Sequence, residues 1–321
     1  MQRKKTPVGM KIAVVGPGAI GSLIAAYLAS AGEDLWLLDY RSERAALLRE
    51  TGIAVAGERG RFHAPVRATA DPLEVGSAEI LILCVKAGDT SEAAGRLQGA
   101  VSSQSHILTL QNGLGNIEKL GELFGSDRVF AGVTSHGATL LEVGNVRHAG
   151  YGEIWMGKAG EAGPQPASET RLQDLAASLN RAGLQAHIVD DIQLLVWRKL
   201  VINVGINALT AVLGVPNGEL VAVSECRKVI HRAVTEAVDV AQLCGISLRS
   251  SDEIERVEEV CRSTAANISS MLQDIRRQKN TEIDQINGAV VRIAAGHDLD
   301  CPVNEVLTAL VKSLEAGYST C

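Results

Sequence analysis

A chain of 321 residues is longer than a single hydrophobic core usually grows, so two domains are expected. With 46% apolar and 21% charged residues the composition is that of a globular protein, and 3% aromatic content leaves Leu, Ile, Val and Ala to build the core. A net charge of −6 and so few aromatic rings argue against a nucleic-acid binder, which needs a basic surface or stacking platforms.

In chain order, Met1–Gly9 is basic but lacks an apolar run, so it does not read as a secretory signal. Met10 directly precedes the first strand pattern and is an alternative start to Met1. Lys11–Val15 reads as a strand and Ala19–Ala31 as an apolar-faced helix, followed by a strand Asp34–Tyr40 and a helix Arg41–Thr51. Ile80–Val85, a helix Thr90–Leu97 and His106–Leu110 continue the alternation, which is the pattern of a parallel sheet covered on both faces. Val129–Met156, rich in Gly, Thr and Val with a turn at Val143-Gly144-Asn145, suggests antiparallel strands. Gly157–Ala167 reads as a loop, Glu169–Ala182 as a helix and Ala186–Val189 as a strand. Beyond Ile192 only helical periods remain. The expected division is residues 1–190, a Rossmann-type α/β dinucleotide-binding domain, and residues 191–321, an all-α domain. Leu200–Val215 is uncharged but short for a membrane span and contains two Asn. Cys84, Cys226, Cys244, Cys261, Cys301 and Cys321 form no CxxC pair, so reduced thiols in a cytoplasmic protein without a metal site are expected.

Gly16-Pro17-Gly18-Ala19-Ile20-Gly21 matches GxGxxG, a weak signal alone that gains weight because it follows a strand and opens a helix. The helix amino terminus then offers N–H donors and a positive dipole end to a pyrophosphate. Asp39, 18 residues after Gly21, stands where an acid would bond the ribose 2′-hydroxyl of NAD(H), whereas Arg41 could hold the 2′-phosphate of NADP(H). Each also reads as a solvated loop charge. Lys86 follows the strand ending at Val85, at the sheet edge where ligands bind, with a solvated lysine nearly as good a reading.

Trp197–Val215 carries the sharpest pattern. Lys199, Asn203, Asn207 and Thr210 fall within roughly 80° of helical arc on an otherwise apolar helix. Buried polar groups need partners, either an internal hydrogen-bond network or a polar substrate. An ammonium with a high desolvation cost favours proton donation, as reduction of a carbonyl requires. Further on, Asn267, Ser270 and Asp274 share a face distinct from the apolar one, and Thr281-Glu282-Ile283-Asp284 matches a capping box that would start a helix at Glu282. Glu282 also fits simple first-turn placement at a helix dipole.

Taken together, GPGAIG, QNGLGN, WRKLVIN, PNGEL, NISSMLQDI and TEIDQING, in this order and over nearly the whole chain, resemble the ketopantoate reductase (2-dehydropantoate 2-reductase) family. The resemblance implies an NADP(H)-binding Rossmann-type domain and a helical domain that closes a cleft over it. It implies Lys199 as general acid, Glu282 as a substrate contact and Asn112 beside the nicotinamide and the reacting oxygen. Asn203, Asn207, Asn267 and Ser270 match positions that bond the substrate's hydroxyl and carboxylate. Two departures stand out: Asp39 leaves NAD(H) open as cofactor, and Gln111 replaces a His found in some members. The expected partner is a small 2-oxo acid, with neither nucleic acid nor membrane, and a homodimer is admitted. The alternatives are a reductase of another branched 2-oxo acid, a β-hydroxyacid dehydrogenase, and a non-catalytic NADP(H)-sensing regulator.

Overall fold

A computed structural model describes residues 9–159 and 166–320. The tail before Gly9, the centre of the expected loop at 160–165 and Cys321 lie outside the described residues. The chain forms two compact units, one covering the chain up to Gln111 together with Asn116–Ile192, the other Asn112–Gly115 and Gln193 onward. The four residues Asn112–Gly115, which the sequence division assigns to the first domain, therefore pack with the helical unit.

The first unit holds an eight-stranded sheet in the order Gln185–Ile188, Glu153–Lys158, Val129–Thr134, His106–Thr109, Ile80–Leu83, Lys11–Val15, Asp34–Leu38, Arg67–Thr69. The six strands from Val129–Thr134 to Arg67–Thr69 are parallel, and Glu153–Lys158 runs antiparallel to its neighbour Val129–Thr134. Ile12, Val14, Ile80, Ile82 and Leu108 are buried on one face and Ala13, Leu81, Leu83 and Ile107 on the other, as expected of strands covered on both sides.

A second sheet, ordered Gly60–Ala64, Ile53–Gly57, Asn145–Gly150, Gly137–Glu142, has no counterpart in the sequence reading between Thr51 and Ile80. Its hairpin at Ile53–Ala64 pairs in parallel with Asn145–Gly150, some 90 residues later, so periodicity alone does not reveal it. The helix Ala19–Ser30 is packed by this sheet as well as by the large one, which is why Ser22, Leu23, Ile24, Ala25, Ala26 and Leu28 are all buried rather than one stripe.

That packing includes a histidine pair. The Gly152 N–H donates to His136 Nδ1 (3.2 Å), so that nitrogen is an acceptor and His148 Nε2, 3.1 Å away, carries its proton. His148 Nδ1 then accepts from the Tyr27 hydroxyl at 3.1 Å. Burial, reinforced by His136, pushes the His148 pKa down to about 4. The unfolded chain, with His near pKa 6.5, takes up this proton first, so stability is expected to fall as pH drops from about 6.5 towards 4. Urea midpoints across that window check this, and the drop should be smaller in His148→Gln.

The second unit is helical. Its central helix, Ile192–Leu213, is long and apolar enough to cross a membrane, but 61% of its most apolar stretch is buried inside the protein. Val201, Val204, Ala208 and Leu209 pack against Ile230, Val234, Val238, Val257 and Val290 in one core, so the helix reads as the core of this unit. The helix expected to begin at Glu282 instead begins at Asn287. Glu282 caps a short 3₁₀ turn, Ile283–Gln285, because Ile286 (φ −102°, ψ −97°) breaks the helical path. Of the capping box only half forms: Thr281 Oγ1 accepts from the Ile283 N–H at 3.1 Å, while the Thr281 N–H donates to Glu315.

Candidate active site

In the first unit, strand Lys11–Val15 runs straight into the glycine loop. Gly16 has φ +92°, and a Cβ there would lie 2.6 Å from Val85 Cγ1 and 2.8 Å from the Val85 backbone nitrogen, so no other residue fits. Gly21 packs against the Gly16 carbonyl and Cys84, and Ala19 and Ile20 open the helix. A Cβ on Gly18 would meet nothing closer than the Cys84 carbonyl at 3.8 Å. Space is therefore left over the loop where the backbone would face a pyrophosphate. A cavity of about 580 Å³ opens at the carboxyl ends of the parallel strands, lined by Val15, Gly16, Leu38, Tyr40, Val85 and Arg96 among others. These features fit a dinucleotide. Lys86 lies just beyond this edge, partly buried, as the cap of the turn Ala87–Asp89.

Asp39 follows its strand and is 1% exposed. Its Oδ1 accepts the Arg41 N–H at 3.1 Å, and its Oδ2 lies 2.7 Å from Nε of Arg44, a residue the sequence reading passed over. The Arg41 guanidinium is exposed and donates to the hydroxyl of Tyr40, a cavity-lining residue, at 3.1 Å. Gln111, standing where a His is an alternative, ties two strand ends together. Its Nε2 donates to the Val85 carbonyl (3.0 Å) and Thr90 Oγ1 (2.8 Å), while its Oε1 accepts from Thr109 (3.0 Å). The amide thus has a reason to be there.

In the second unit the loop Asn112–Gly115 packs on the turn Ile283–Gln285. Leu114 N–H donates to the Gln285 carbonyl at 2.9 Å, and Gly113 (φ +82°) lies so close to that carbonyl that a Cβ would collide with it. This contact places Asn112 so that its Nδ2 donates to Glu282 Oε2 at 3.0 Å. Lys199, on the central helix, is influenced by the same carboxylate. Burial pulls its pKa from 10.5 down to about 8 against the opposing attraction of Glu282.

One turn along, Asn203 Nδ2 is buried with no hydrogen-bond partner, a state that costs about 1–3 kcal/mol unless a ligand relieves it. Asn207 is 6% exposed on the same stripe. Thr210 is not available: its hydroxyl donates into the helix and lies 2.6 Å from Ser269 Oγ, which caps the helix Ser270–Arg276 through Leu272 N–H. Asn267 and Ser270 are exposed, and the PNGEL segment holds their loop in place. Asn217 N–H donates to the Asn267 carbonyl (3.0 Å), Gly218 N–H to Ala265 (3.0 Å), and Asn217 Nδ2 to Thr264 Oγ1 (2.9 Å). Asn287 and Asn304, both fully buried, were not singled out from sequence. Asn287 Nδ2 donates to Asn304 Oδ1 (2.9 Å) and to the Val204 carbonyl (3.3 Å), bracing the helix that carries Lys199.

A glycine-loop α/β unit with a cavity at the carboxyl edge of its sheet and a helical unit carrying a lysine, a carboxylate and four asparagines define a nicotinamide-dependent oxidoreductase. The family model described as Ketopantoate reductase PanE/ApbA matches residues 12–161, and that for its C-terminal part matches residues 191–315. A 2-dehydropantoate 2-reductase of Halobacterium salinarum is 40% identical over 305 residues, covering 94% of this chain and 98% of its own. Among solved structures, a ketopantoate reductase of the PanE/ApbA family from Ralstonia eutropha aligns with a TM-score of 0.87 at 30% identity, covering 97% of this chain and 100% of the other. A D-mandelate dehydrogenase with NADH and anilino(oxo)acetate aligns with a TM-score of 0.89 at 28% identity, with the same coverage. The chain belongs to the ketopantoate reductase family.

Proposed function

We propose that the chain reduces 2-dehydropantoate (ketopantoate) to pantoate with NADPH, a cytoplasmic step towards pantothenate and coenzyme A. The observation that carries this reading is the grouping of Lys199, Glu282 and Asn112 within a chain 40% identical to a 2-dehydropantoate 2-reductase. The bound dinucleotide supplies the hydride, and Gly16, Pro17, Gly18, Ala19, Ile20 and Gly21 with Lys86 would hold it. The residues of the helical unit do the rest. Lys199 Nζ gives its proton to the C2 oxygen as that carbon gains the hydride, which leaves a hydroxyl and a neutral amine that solvent reprotonates. Glu282, held by Asn112, accepts a hydrogen bond from the substrate hydroxyl. Asn203, Asn207, Asn267 and Ser270 orient the remainder, and the unpartnered Asn203 amide gains an acceptor in the process.

A second reading, an NADH-dependent reductase of an aromatic 2-oxo acid, is favoured by the alignment with the D-mandelate dehydrogenase bound to NADH. Steady-state oxidation of NADPH and NADH against a panel of 2-oxo acids separates the two. Highest kcat/KM with ketopantoate supports the proposal, whereas a preference for phenylglyoxylate with NADH supports the second reading. Turnover of neither, with nucleotide still bound, would leave only a sensing role.

A further inference from the structure

Asp39 stands where a free carboxylate would accept a ribose 2′-hydroxyl and repel a 2′-phosphate. Here it is not free. The side chain is buried, its Oδ1 is occupied by the Arg41 backbone, and its Oδ2 is covered by Arg44, whose side chain is 26% exposed. Arg44 lies in the first turn of the helix Ser42–Thr51 and also donates from Nη2 to the Pro17 carbonyl of the glycine loop at 3.2 Å. It therefore touches both the acid and the cofactor loop. The contact with Asp39 is ionic rather than an aligned hydrogen bond, since both Arg44 Nε and Asp39 Oδ2 lack a partner of good geometry. Such a pair cancels charge while leaving donor capacity on the guanidinium. Arg41 does not reach Asp39 with its side chain: its guanidinium rests on Tyr40, 5.3 Å from the ring centroid.

We infer that Arg44 sets cofactor selectivity: by neutralising Asp39 beside the glycine loop it lets the end of the second strand accept a 2′-phosphate. With Arg44 removed, Asp39 is uncovered beside the ribose and the site reverts to the unphosphorylated cofactor. The inference rests on the dinucleotide part of the proposed function and is independent of which oxo acid is reduced.

The test is calorimetric titration of the full-length protein, without oxo acid, with adenosine 2′,5′-bisphosphate and with ADP. Arg44→Ala is expected to weaken adenosine 2′,5′-bisphosphate by about tenfold or more while ADP binding holds or improves, the scale of a lost charge-assisted contact. Retained ADP binding shows that the variant is folded. Asp39→Asn in the Arg44→Ala background should recover most of the loss, because the repelling charge is gone. Arg41→Ala should change the ratio of the two affinities by less than Arg44→Ala does. Equal weakening of both nucleotides by Arg44→Ala overturns the inference, and so does a selective loss that Asp39→Asn fails to recover, which would make Arg44 a plain phosphate ligand. A wild-type protein that binds neither nucleotide removes the site itself, whereas one that binds both but reduces no 2-oxo acid leaves the inference intact and the proposed reaction refuted.

Discussion

Lys199→Ala should lower kcat for 2-oxo acid reduction by about 10²–10⁴-fold, the usual worth of a positioned acid, with little change in KM for the nucleotide. The pKa near 8 makes the expected pH dependence specific. Reduction needs the protonated amine, so kcat should fall as pH rises through about 8, and oxidation of the hydroxy acid should rise over the same interval. Lys199→Arg keeps a positive charge but cannot release its proton at any accessible pH, so it should remain slow and lose the inflection. Stability should move the other way. A lysine whose pKa is depressed on folding is destabilising below that pKa, since the unfolded chain holds the proton more readily. Lys199→Ala is thus expected to melt no lower than the wild type at pH 7. A variant that turns over at near wild-type rate, or one whose activity loss tracks a lowered Tm, would take Lys199 out of the proton transfer.

The parts of this protein that local chemistry dictates could be read from its sequence. The glycine loop is one: strand, tight turn and helix follow each other within eleven residues, and the structure finds a positive φ at Gly16 and packing at Gly21. The polar stripe of Ile192–Leu213 is another, because helical spacing fixes which side chains share a face regardless of what packs around them. What escaped was set by distant pairing. The small sheet joins Ile53–Gly57 to Asn145–Gly150, and nothing near Ile53 announces that partner. Thr210 belongs to the stripe by spacing, yet Ser269, 59 residues away, has claimed its hydroxyl. Arg44 carries no signal within the expected helix Arg41–Thr51, and only the fold brings it back over Asp39. Glu282 was placed at a helix start by a capping pattern that forms only halfway, since Glu315 takes the Thr281 N–H. Its carboxylate is fixed instead by Asn112, 170 residues earlier in the chain.

That Asn112–Glu282 contact leads to the second large expected effect, the rejection of 2-oxoisovalerate. Ketopantoate carries a C4 hydroxymethyl group, and with it a hydroxyl, that 2-oxoisovalerate lacks. If Glu282 receives that hydroxyl, the shorter acid leaves a partly buried carboxylate with one donor fewer, and sites that bond a hydroxyl discriminate strongly against its absence. kcat/KM for 2-oxoisovalerate is therefore expected to be at least about 10²-fold below that for ketopantoate, roughly 3 kcal/mol. Glu282→Ala should narrow the gap by slowing ketopantoate far more than 2-oxoisovalerate, because the variant has no acceptor to strand. Asn112→Ala should narrow it less, since it removes the 3.0 Å bond that aims the carboxylate but leaves the acceptor in place. Steady-state kinetics on both acids with the three proteins decides the matter. Comparable efficiency on both acids in the wild type would refute ketopantoate as the substrate while sparing the reductase class. A gap of unchanged size in Glu282→Ala would mean that this carboxylate contacts something other than the hydroxyl.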